Sequence, residues 1–233
     1  MTMPSAPPAD YPVHLTARPP EQLSAGLWLV KWLLIIPHVI VLIPLGVVFV
    51  LLTMVAFVAI LVTGRYPRGI FDLNVGVLRW AWRVGYYAYS ALATDEYPPF
   101  TLAEQPSYPA SLTVEYPERL SRGLVLVKWW LLAIPHYIVV GLLTGPQFSY
   151  ETAQGTRYQG QIGLIGILVL VAAVLLAVRG TYPRNLYDLV LGLNRWVFRV
   201  AAYACLMTDV YPPFRLDQGP EDRVAAVGPA PAS

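Results

Sequence analysis

The sequence predicts an all-α integral membrane protein made of two pseudo-symmetric repeats, and three observations lead to this fold class. Of the 233 residues, 56% are hydrophobic and only 13% are Asp, Glu, Lys or Arg, roughly half the charged fraction of an ordinary soluble domain. The hydrophobic residues lie in long blocks. A set of short motifs occurs twice along the chain, in the same order.

The apolar blocks are long enough to cross a bilayer. Residues 27–62 contain one charged side chain, Lys31, residues 124–143 contain one, Lys128, and residues 162–178 contain none. A helix of about 20 apolar residues spans the hydrocarbon core of a membrane, which is roughly 30 Å thick. We therefore expect these blocks to form membrane-spanning helices.

The duplication divides the chain into two repeats. The matching pairs are Tyr-Pro-x-x-Leu-Thr from residues 11 and 108, Glu-x-Leu-Ser-x-Gly from 21 and 118, Pro-His at 37 and 135, Gly-x-Tyr-Pro-Arg from 64 and 180, Arg-Trp at 79 and 195, and Tyr-Pro-Pro-Phe from 97 and 211. Because chance does not reproduce this order, we assign repeat 1 to 11–104 and repeat 2 to 105–216. The tails, 1–10 and 217–233, are predicted to be disordered.

Each repeat is predicted to contain a transmembrane helical hairpin. In repeat 2, the polar segment 144–161 interrupts the apolar sequence and has to reach water. By analogy, repeat 1 is expected to turn near residues 44–46, a Pro-Leu-Gly sequence. The expected spans are 23–43, 45–62, 120–143 and 162–178.

A third helix with a polar stripe follows each hairpin. Offsets of 4, 7, 11 and 15 residues place five side chains of each repeat on one face of this helix. They are Asp72, Gly76, Arg79, Arg83 and Tyr87 in repeat 1, and Asp188, Gly192, Arg195, Arg199 and Tyr203 in repeat 2. An arginine at the middle of a span costs roughly 2.5 to 3.5 kcal/mol, whereas an interfacial helix lets it snorkel to the headgroups. We therefore predict an interfacial amphipathic helix; a third crossing, with an inverted second repeat, is the alternative.

The distribution of positive charge predicts the orientation in the membrane. With two crossings per repeat, 15 of the 16 Lys and Arg residues lie on the side of the termini, and Arg157 is the exception. Because positive charges are enriched on the cytoplasmic side, we predict a multi-pass protein of the bacterial inner (plasma) membrane with both termini in the cytoplasm. Short alternating segments at 13–16, 100–102, 110–114 and 214–216 are expected to form strands that pair in a small cytoplasmic sheet.

The motifs together resemble a known family. Tyr-Pro-x-x-Leu-Thr, Glu-x-Leu-Ser-x-Gly, Pro-His within an apolar span, Arg-Tyr-Pro-Arg, Asp-Leu-x-x-Gly-x-x-Arg-Trp and Tyr-Pro-Pro-Phe are similar to the bacterial, largely actinobacterial, domain-of-unknown-function family numbered 4389. The resemblance is to a tandem member and extends from Tyr11 to Leu216. Repeat 2 has Thr181 where repeat 1 has Arg65, which argues against an essential role for that arginine. The resemblance implies a membrane protein and assigns no activity, catalytic residue or cofactor.

Two histidines are candidate ligand contacts. His38 and His136 follow prolines at matching positions inside apolar segments, and an ionisable side chain within a membrane is by default a functional candidate. The pair could relay protons or ligate a haem or a metal ion. The competing interpretation is structural, because Pro37 and Pro135 each free a backbone carbonyl to which a neutral histidine can donate. We favour structural pairing and predict neither a metal site nor a cofactor.

Basic side chains are the remaining candidates for contact with a ligand or with lipid. Lys31 and Lys128 precede His38 and His136 by seven and eight residues; they either line a polar cleft for an anionic headgroup or snorkel to the interface. The arginines of the third helices are expected to bind lipid phosphates or to pair with the aspartates of the same stripes. These residues are Arg79, Arg83, Arg195 and Arg199, with Asp72 and Asp188.

Composition and motifs argue against several functional classes, and a membrane enzyme that acts on lipid is kept as a third, weaker hypothesis. The net charge of +2 is small and dispersed, which argues against nucleic acid as a partner. The chain has no Gly-x-Ser-x-Gly, His-Glu-x-x-His, Cys-x-x-Cys or phosphate-loop motif, so we predict no enzymatic activity. We predict a non-enzymatic accessory or scaffold component whose partners are membrane lipids and other membrane proteins. The alternative is a lipid or small-molecule binder or transporter that uses a cleft between the repeats.

Overall fold

The computed structural model describes residues 11–20, 23–24, 26–145, 149–152, 155–158 and 162–217. The predicted disordered tails lie outside this part of the chain, apart from residue 217. Repeat 1 contains strand β1 (Val13–Ala17) and helices α1 (Leu27–Leu34), α2 (Ile36–Thr63) and α3 (Arg68–Tyr87). Repeat 2 contains strands β2 (Ala110–Val114), β3 (Ser149–Thr152) and β4 (Gly155–Tyr158), helices α4 (Arg122–Val127), α5 (Ile134–Thr144), α6 (Leu164–Arg179) and α7 (Arg184–Ala204), and a π-helical turn at Lys128–Leu132. The described residues are therefore mostly helical.

Helix α2 contradicts the predicted hairpin of repeat 1. It continues without a break through Pro44 and Gly46, where the sequence predicts a turn. A proline removes one hydrogen bond from a helix, whereas a turn in apolar surroundings leaves several backbone groups without partners. The helix ends at Gly64, whose φ of 71° is a left-handed conformation that glycine adopts without a steric penalty. Repeat 1 therefore has one long apolar helix in place of two spans.

In repeat 2, a β-hairpin interrupts the equivalent helix. Strands β3 and β4 pair antiparallel between α5 and α6. A Cβ added to Gly163, just before α6, would lie 2.2 Å from the amide nitrogen of Gly145, just after α5, so the chain returns close to where it leaves. α7 packs against both α5 and α6, as α3 packs against α2. Together α5 and α6 take the place that α2 has in repeat 1, and α6 ends like α2 at a left-handed glycine, Gly180.

The arginine stripes of α3 and α7 face the interior of the protein. Arg83, Arg195 and Arg199 are buried, and Arg79 is half-buried. The snorkelling on which the interfacial placement depends therefore does not occur in this structure. The physical reason is that each guanidinium has polar partners inside the fold: Arg79, Arg83 and Arg195 donate to backbone carbonyls, and Arg199 pairs with a carboxylate.

A two-stranded ribbon joins the two repeats. β1 of repeat 1 pairs antiparallel with β2 of repeat 2, with Leu15 opposite Leu112. β2 packs against α3 of repeat 1, and β1 packs against α7 of repeat 2. The strand of each repeat therefore packs against the third helix of the other repeat. The buried side chains of the ribbon belong to the main hydrophobic core.

The strand predictions are correct for the ribbon and wrong for the other two segments. The strands expected at 13–16 and 110–114 are confirmed by β1 and β2. The segments 100–102 and 214–216 form no strand. Instead they follow α3 and α7, and carbonyls there and at residue 217 accept hydrogen bonds from arginines, so these groups need no partner strand.

One helix is long and apolar enough to cross a membrane by itself. α2 has 28 residues, and its most apolar stretch of 18 residues has a mean hydropathy of 3.0 and is only 11% buried. The segment Arg122–Leu132 and α5 form a second candidate if their 46° bend falls within one span. α6 is apolar but has 16 residues, fewer than a spanning helix needs. The described residues thus offer one or two candidate spans, and the prediction of four separate spans is wrong because α2 does not turn and α1 and α6 are short.

Gly76 of α3 lies against the segment that follows its own helix, and we expect this contact to limit the residue to glycine. A Cβ at this position would be 2.8 Å from the Cβ of Leu102 and 3.1 Å from its carbonyl oxygen. Gly76→Ala should lower the free energy of unfolding by about 1 to 3 kcal/mol, because backbone atoms have to move to admit the methyl group. Thermal unfolding of the purified protein in detergent measures this loss.

Gly69 in the same helix supplies the matched control for Gly76. A Cβ at Gly69 has no heavy atom within 4 Å, so Gly69→Ala should leave stability unchanged or raise it by up to about 1 kcal/mol through helix propensity. An equal loss of stability in both variants would contradict the close contact at Gly76.

Candidate functional site

Lys31 forms a buried ion pair with a carboxylate that follows α3. Its side chain is 1% exposed, and Nζ lies 2.7 Å from Oδ1 of Asp95. The same ammonium donates a hydrogen bond to the carbonyl of Thr94 at 2.7 Å and lies 5.2 Å from the centre of the Tyr87 ring. The carboxylate also accepts a hydrogen bond from the backbone N–H of Ser24 at 2.7 Å. Lys31 thus ties the start of the apolar segment to the end of the third helix.

Repeat 2 contains the same cluster around Lys128. Its ammonium lies 2.6 Å from Oδ1 of Asp209, donates to the carbonyl of Thr208 at 3.1 Å and sits 5.7 Å from the centre of the Tyr203 ring. The carboxylate accepts from the backbone N–H of Ser121 at 2.6 Å. The sequence predicts that the two lysines either line a polar cleft or snorkel to the interface. The structure has a third arrangement, a buried ion pair in each repeat.

The ion pair in repeat 1 changes the acidity of its carboxyl group. Burial on its own raises the pKa of Asp95, but the hydrogen bond and charge of Lys31, with the N–H of Ser24, outweigh it and hold the pKa below the usual value of 3.8. The group is therefore ionised at neutral pH and compensates the buried ammonium.

A strained leucine precedes each of these carboxylates. Leu92 has a φ of 54° and Leu206 a φ of 68°, in a region that costs a non-glycine residue roughly 1 to 2 kcal/mol. Both side chains are buried, so their packing offsets the strain. The resulting turn, two residues before Thr94 and Thr208, brings the chain back toward the lysine.

His38 lies in an aromatic cluster and is fully buried. Nε1 of Trp80 donates a hydrogen bond to its Nδ1 at 3.0 Å. The imidazole stacks on the Phe100 ring with centroids 3.9 Å apart and lies 4.9 Å from the Tyr97 ring. The hydroxyl of Tyr97 in turn donates to the carbonyl of Leu34. His136 has the equivalent neighbours in repeat 2, Trp196, Tyr211 and Phe214.

The hydrogen bond from tryptophan determines which ring nitrogen of each histidine is unprotonated. In repeat 2, Nε1 of Trp196 lies 3.2 Å from Nδ1 of His136, and the Phe214 ring stacks on the imidazole at 4.3 Å. An indole N–H can only donate, so Nδ1 has to be unprotonated. A metal ion at Nδ1 would have to displace the indole. Within the described ranges, no three His, Cys, Asp or Glu side chains come together to hold a metal ion.

Arg79 and Arg195 each bind the strand that comes from the other repeat. Nε of Arg79 donates to the carbonyl of Leu112 at 2.9 Å, and Nε of Arg195 donates to the carbonyl of Leu15 at 2.9 Å. A second N–H of each guanidinium donates to a carbonyl of the segment that follows its own helix. These two arginines therefore lock the ribbon onto both third helices.

Arg83 and Arg199 are equivalent in the two repeats but have different partners. Arg199 forms an ion pair with Asp217 at 2.7 Å. The charge and hydrogen bond of Arg199 outweigh the effect of burial, so the pKa of Asp217 is below its usual value. Repeat 1 has Ala103 at the place of Asp217, and Arg83 donates to the carbonyl of Thr101.

The aspartates of the two stripes lie near the start of their helices. Asp72 is exposed and Asp188 is half-buried. Arg79 and Arg83 take backbone carbonyls as partners, so the pairing predicted with Asp72 is not seen in the described part of repeat 1. Contact between lipid and the four arginines stays a prediction; a headgroup reaches the three buried ones only if neighbouring backbone moves away.

The four residues predicted to line one cleft are divided between two clusters. In the described part of the chain, the hydrogen bonds and ion pairs of Lys31 and His38 are made with repeat 1, and those of Lys128 and His136 are made with repeat 2. In each cluster the ammonium group and Nδ1 of the histidine have polar partners, and Nε2 of the histidine is buried with no hydrogen-bond partner among the described residues. The arrangement therefore fastens helix ends together and offers no nucleophile beside a general base.

Sequence reasoning missed the partners of the lysines and histidines. Asp95 and Asp209 each follow a threonine, and one residue separates each of them from Tyr-Pro-Pro-Phe. This repeated Thr-Asp was the signal that could have found them. The tryptophans belong to the duplicated Arg-Trp motif. Their hydrogen bonds to histidine join residues 42 and 60 positions apart in the sequence, so the motif alone does not reveal them.

Comparison with known proteins yields one match. No curated protein and no solved structure matches the chain. The profile of a family described as "Domain of unknown function (DUF4389)" matches residues 26–101 and 160–215. The two matched regions fall in different repeats, as the duplication predicts. They cover more than half of the sequence, and the chain belongs to the DUF4389 family.

Proposed function

We propose that this protein is a non-enzymatic accessory or scaffold component embedded in the bacterial plasma membrane. The single observation that carries the proposal is the exposed apolar surface of α2. Side chains such as Ile40, Leu51 and Val62 are 64%, 56% and 67% exposed. Burying such surface in lipid is favourable by about 25 cal/mol per Å². An exposed apolar surface that runs along a whole helix marks a contact with a membrane or a protein.

The state of the polar groups supports a role without catalysis. The two lysine ammonium groups and Nδ1 of both histidines have partners in their own repeat. Nε2 of each histidine has no partner among the described residues, but it is buried, so no substrate reaches it in this structure. A catalytic or transport site needs polar groups that are free to meet a substrate. The cytoplasmic location of both termini, expected from the positive charges, stays a prediction.

The alternative is a lipid or small-molecule binder or transporter that uses a cleft between the repeats. It has less support, because Lys31 with His38 and Lys128 with His136 form two closed clusters rather than one shared lining. We therefore keep the scaffold proposal as the main one.

A charge placed on α2 tests the membrane part of the proposal. Leu51→Lys should reduce the amount of protein that stays in the membrane pellet after alkaline extraction, because a lysine near the middle of a span costs roughly 2.5 to 3.5 kcal/mol. Val210→Lys is the control: Val210 is 50% exposed but lies outside the apolar helices. Release of the native protein by alkaline extraction, or equal behaviour of the two variants, would overturn membrane embedding.

The scaffold part is tested by purification from the native host in nanodiscs, with mass spectrometry of the retained proteins. A stoichiometric membrane protein in the sample is the expected result. A native protein that stays in the membrane fraction but retains no partner would overturn the scaffold role and leave membrane embedding intact.

A further inference from the structure

We propose that the surface beside the second half of α2 binds an anionic phospholipid, with its phosphate against Arg65, Arg119 and Arg122 and an acyl chain against α2. The inference rests on the proposed membrane embedding and adds a ligand class and a site. The site is distinct from the lysine and histidine clusters, whose central residues are the candidate ligand contacts of the sequence analysis.

Three arginines surround a pocket at the end of the long apolar helix. The pocket has a volume of about 490 Å³ and is lined by Arg65, Arg119 and Arg122 together with Gly64 and Leu120. The backbone N–H of Leu120 donates to the carbonyl of Gly64 at 2.9 Å, which fixes the arginine-bearing segment against the helix end. All three arginines are exposed, and within the described ranges none has a carboxylate partner. Three uncompensated guanidinium groups around one pocket favour a phosphate.

The duplication indicates that the shared fold does not require these charges. Repeat 2 has Thr181 at the place of Arg65. Repeat 1 has Gln22 and Ala25 at the places of Arg119 and Arg122. The pseudo-equivalent place therefore has none of the three arginines, whereas the structural arginines of α3 and α7 are present in both repeats. The three arginines are therefore free to serve a ligand without a cost to the shared fold.

An apolar groove follows the arginine pocket along the same helix. It has a volume of about 650 Å³, and its lining includes Val50, Met54 and Val58 of α2 with Trp129 and Leu206 of repeat 2. α2 packs against α4; Arg122 of the arginine pocket is the first residue of α4, and Trp129 of the apolar groove lies two residues after the end of α4. On α2, Val58 of the groove is five residues before Thr63 of the arginine pocket. On the facing segment, Trp129 is seven residues after Arg122.

This order of charge and apolar surface matches a phospholipid rather than a free anion. The arginines lie just beyond the end of the candidate span, where headgroups lie if α2 crosses the bilayer. The groove lies on the side of the bilayer core, where acyl chains lie. A free phosphate has no group that would occupy the apolar groove.

Native mass spectrometry of the full-length protein in detergent tests the site with two lipids. Phosphatidylglycerol should bind in preference to phosphatidylcholine, and inorganic phosphate alone should not displace it. Arg119→Gln with Arg122→Ala, which installs the residues of repeat 1, should weaken phosphatidylglycerol binding about 25-fold, roughly five-fold for each arginine. Adding Arg65→Thr should weaken binding further.

A control with the same charge loss makes this test specific. Arg179→Gln with Arg184→Gln removes two exposed arginines, at the last residue of α6 and the first residue of α7, and should leave lipid binding unchanged. Equal losses in the control, equal binding of both lipids, or displacement by inorganic phosphate would each overturn the proposal.

A second variant tests the groove without changing charge. Val58→Trp replaces a side chain that is 57% exposed with a larger one, which should fill the groove and weaken phosphatidylglycerol binding; unchanged binding would overturn the acyl-chain position. Alkaline extraction of each variant separates this inference from the proposed function. Retention in the membrane without selectivity for phosphatidylglycerol would overturn the lipid site alone, whereas release of the native protein would overturn membrane embedding.

Discussion

Asp95→Asn should lower the free energy of unfolding by about 3 kcal/mol or more. The substitution keeps the shape of the side chain but leaves the ammonium of Lys31, 1% exposed, without its anion. Breaking a buried ion pair by removing one partner typically costs about 3 to 5 kcal/mol, because an uncompensated charge stays buried. Chemical unfolding of the purified protein in detergent measures the loss.

Two further variants make this result specific to the ion pair. Glu96→Gln removes a neighbouring carboxylate that is exposed, and we expect it to change stability by less than about 0.5 kcal/mol. Adding Lys31→Met to Asp95→Asn should recover part of the loss, since the buried charge is then gone as well. If Asp95→Asn unfolds like Glu96→Gln, the ion pair does not contribute to stability.

The depressed pKa of Asp95 also gives this contribution a pH dependence. The pKa is lower in the folded state than its usual value of 3.8, so the contribution is fully present above that value. It is lost as the pH falls through the folded pKa, because the unfolded chain binds the proton more readily. The native protein should therefore lose part of its stability on acidification, and Asp95→Asn should lack this part of the loss.

Arg195→Met should destabilise the protein by about 3 kcal/mol and release the first strand. Arg195 is fully buried and donates to the carbonyl of Leu15 in β1 and to the carbonyl of Asp217. Hydrogen bonds from a charged donor contribute about 1.5 to 3 kcal/mol each. Hydrogen exchange is the sharper measurement, because the amides of β1 should exchange faster while those of α2 change less.

Three comparison variants should lose different amounts of stability. Arg79→Met removes the equivalent contact in repeat 1, but Arg79 is only half-buried, so its loss should be smaller. Arg195→Lys should restore little, because an ammonium lacks the planar fork that reaches two carbonyls. Arg184→Met, at an exposed position of the same helix, should have almost no effect. Unchanged exchange of β1 in Arg195→Met would contradict the lock between ribbon and helix.

Features encoded by local pattern are predictable from the sequence. The period of apolar and polar residues gives the two amphipathic helices, α3 and α7, at nearly their observed positions, because a helix of 3.6 residues per turn leaves this pattern in any context. The two ribbon strands are found because alternating residues leave a period of two. The duplicated motifs give the repeats and the family without any tertiary information.

The partners of the buried polar groups could not be read from the sequence. Arg195 and Leu15 are 180 residues apart, and Lys31 and Thr94 are 63 apart. Stripe spacing shows that arginines share a face, but not whether lipid, carboxylate or backbone meets that face. The arginine pocket is likewise invisible, because Arg65 and Arg122 come together only when Leu120 binds the end of α2.

The sequence by itself determined the helical content, the two repeats, the ribbon strands and the long apolar segments. Only the tertiary structure decided that α2 continues through Pro44, that repeat 2 interrupts the same helix, and that the lysines and histidines are buried in closed clusters. The physical reason is that a periodic pattern depends on neighbouring residues, whereas the effect of a proline and the choice of a hydrogen-bond partner depend on which distant groups surround them.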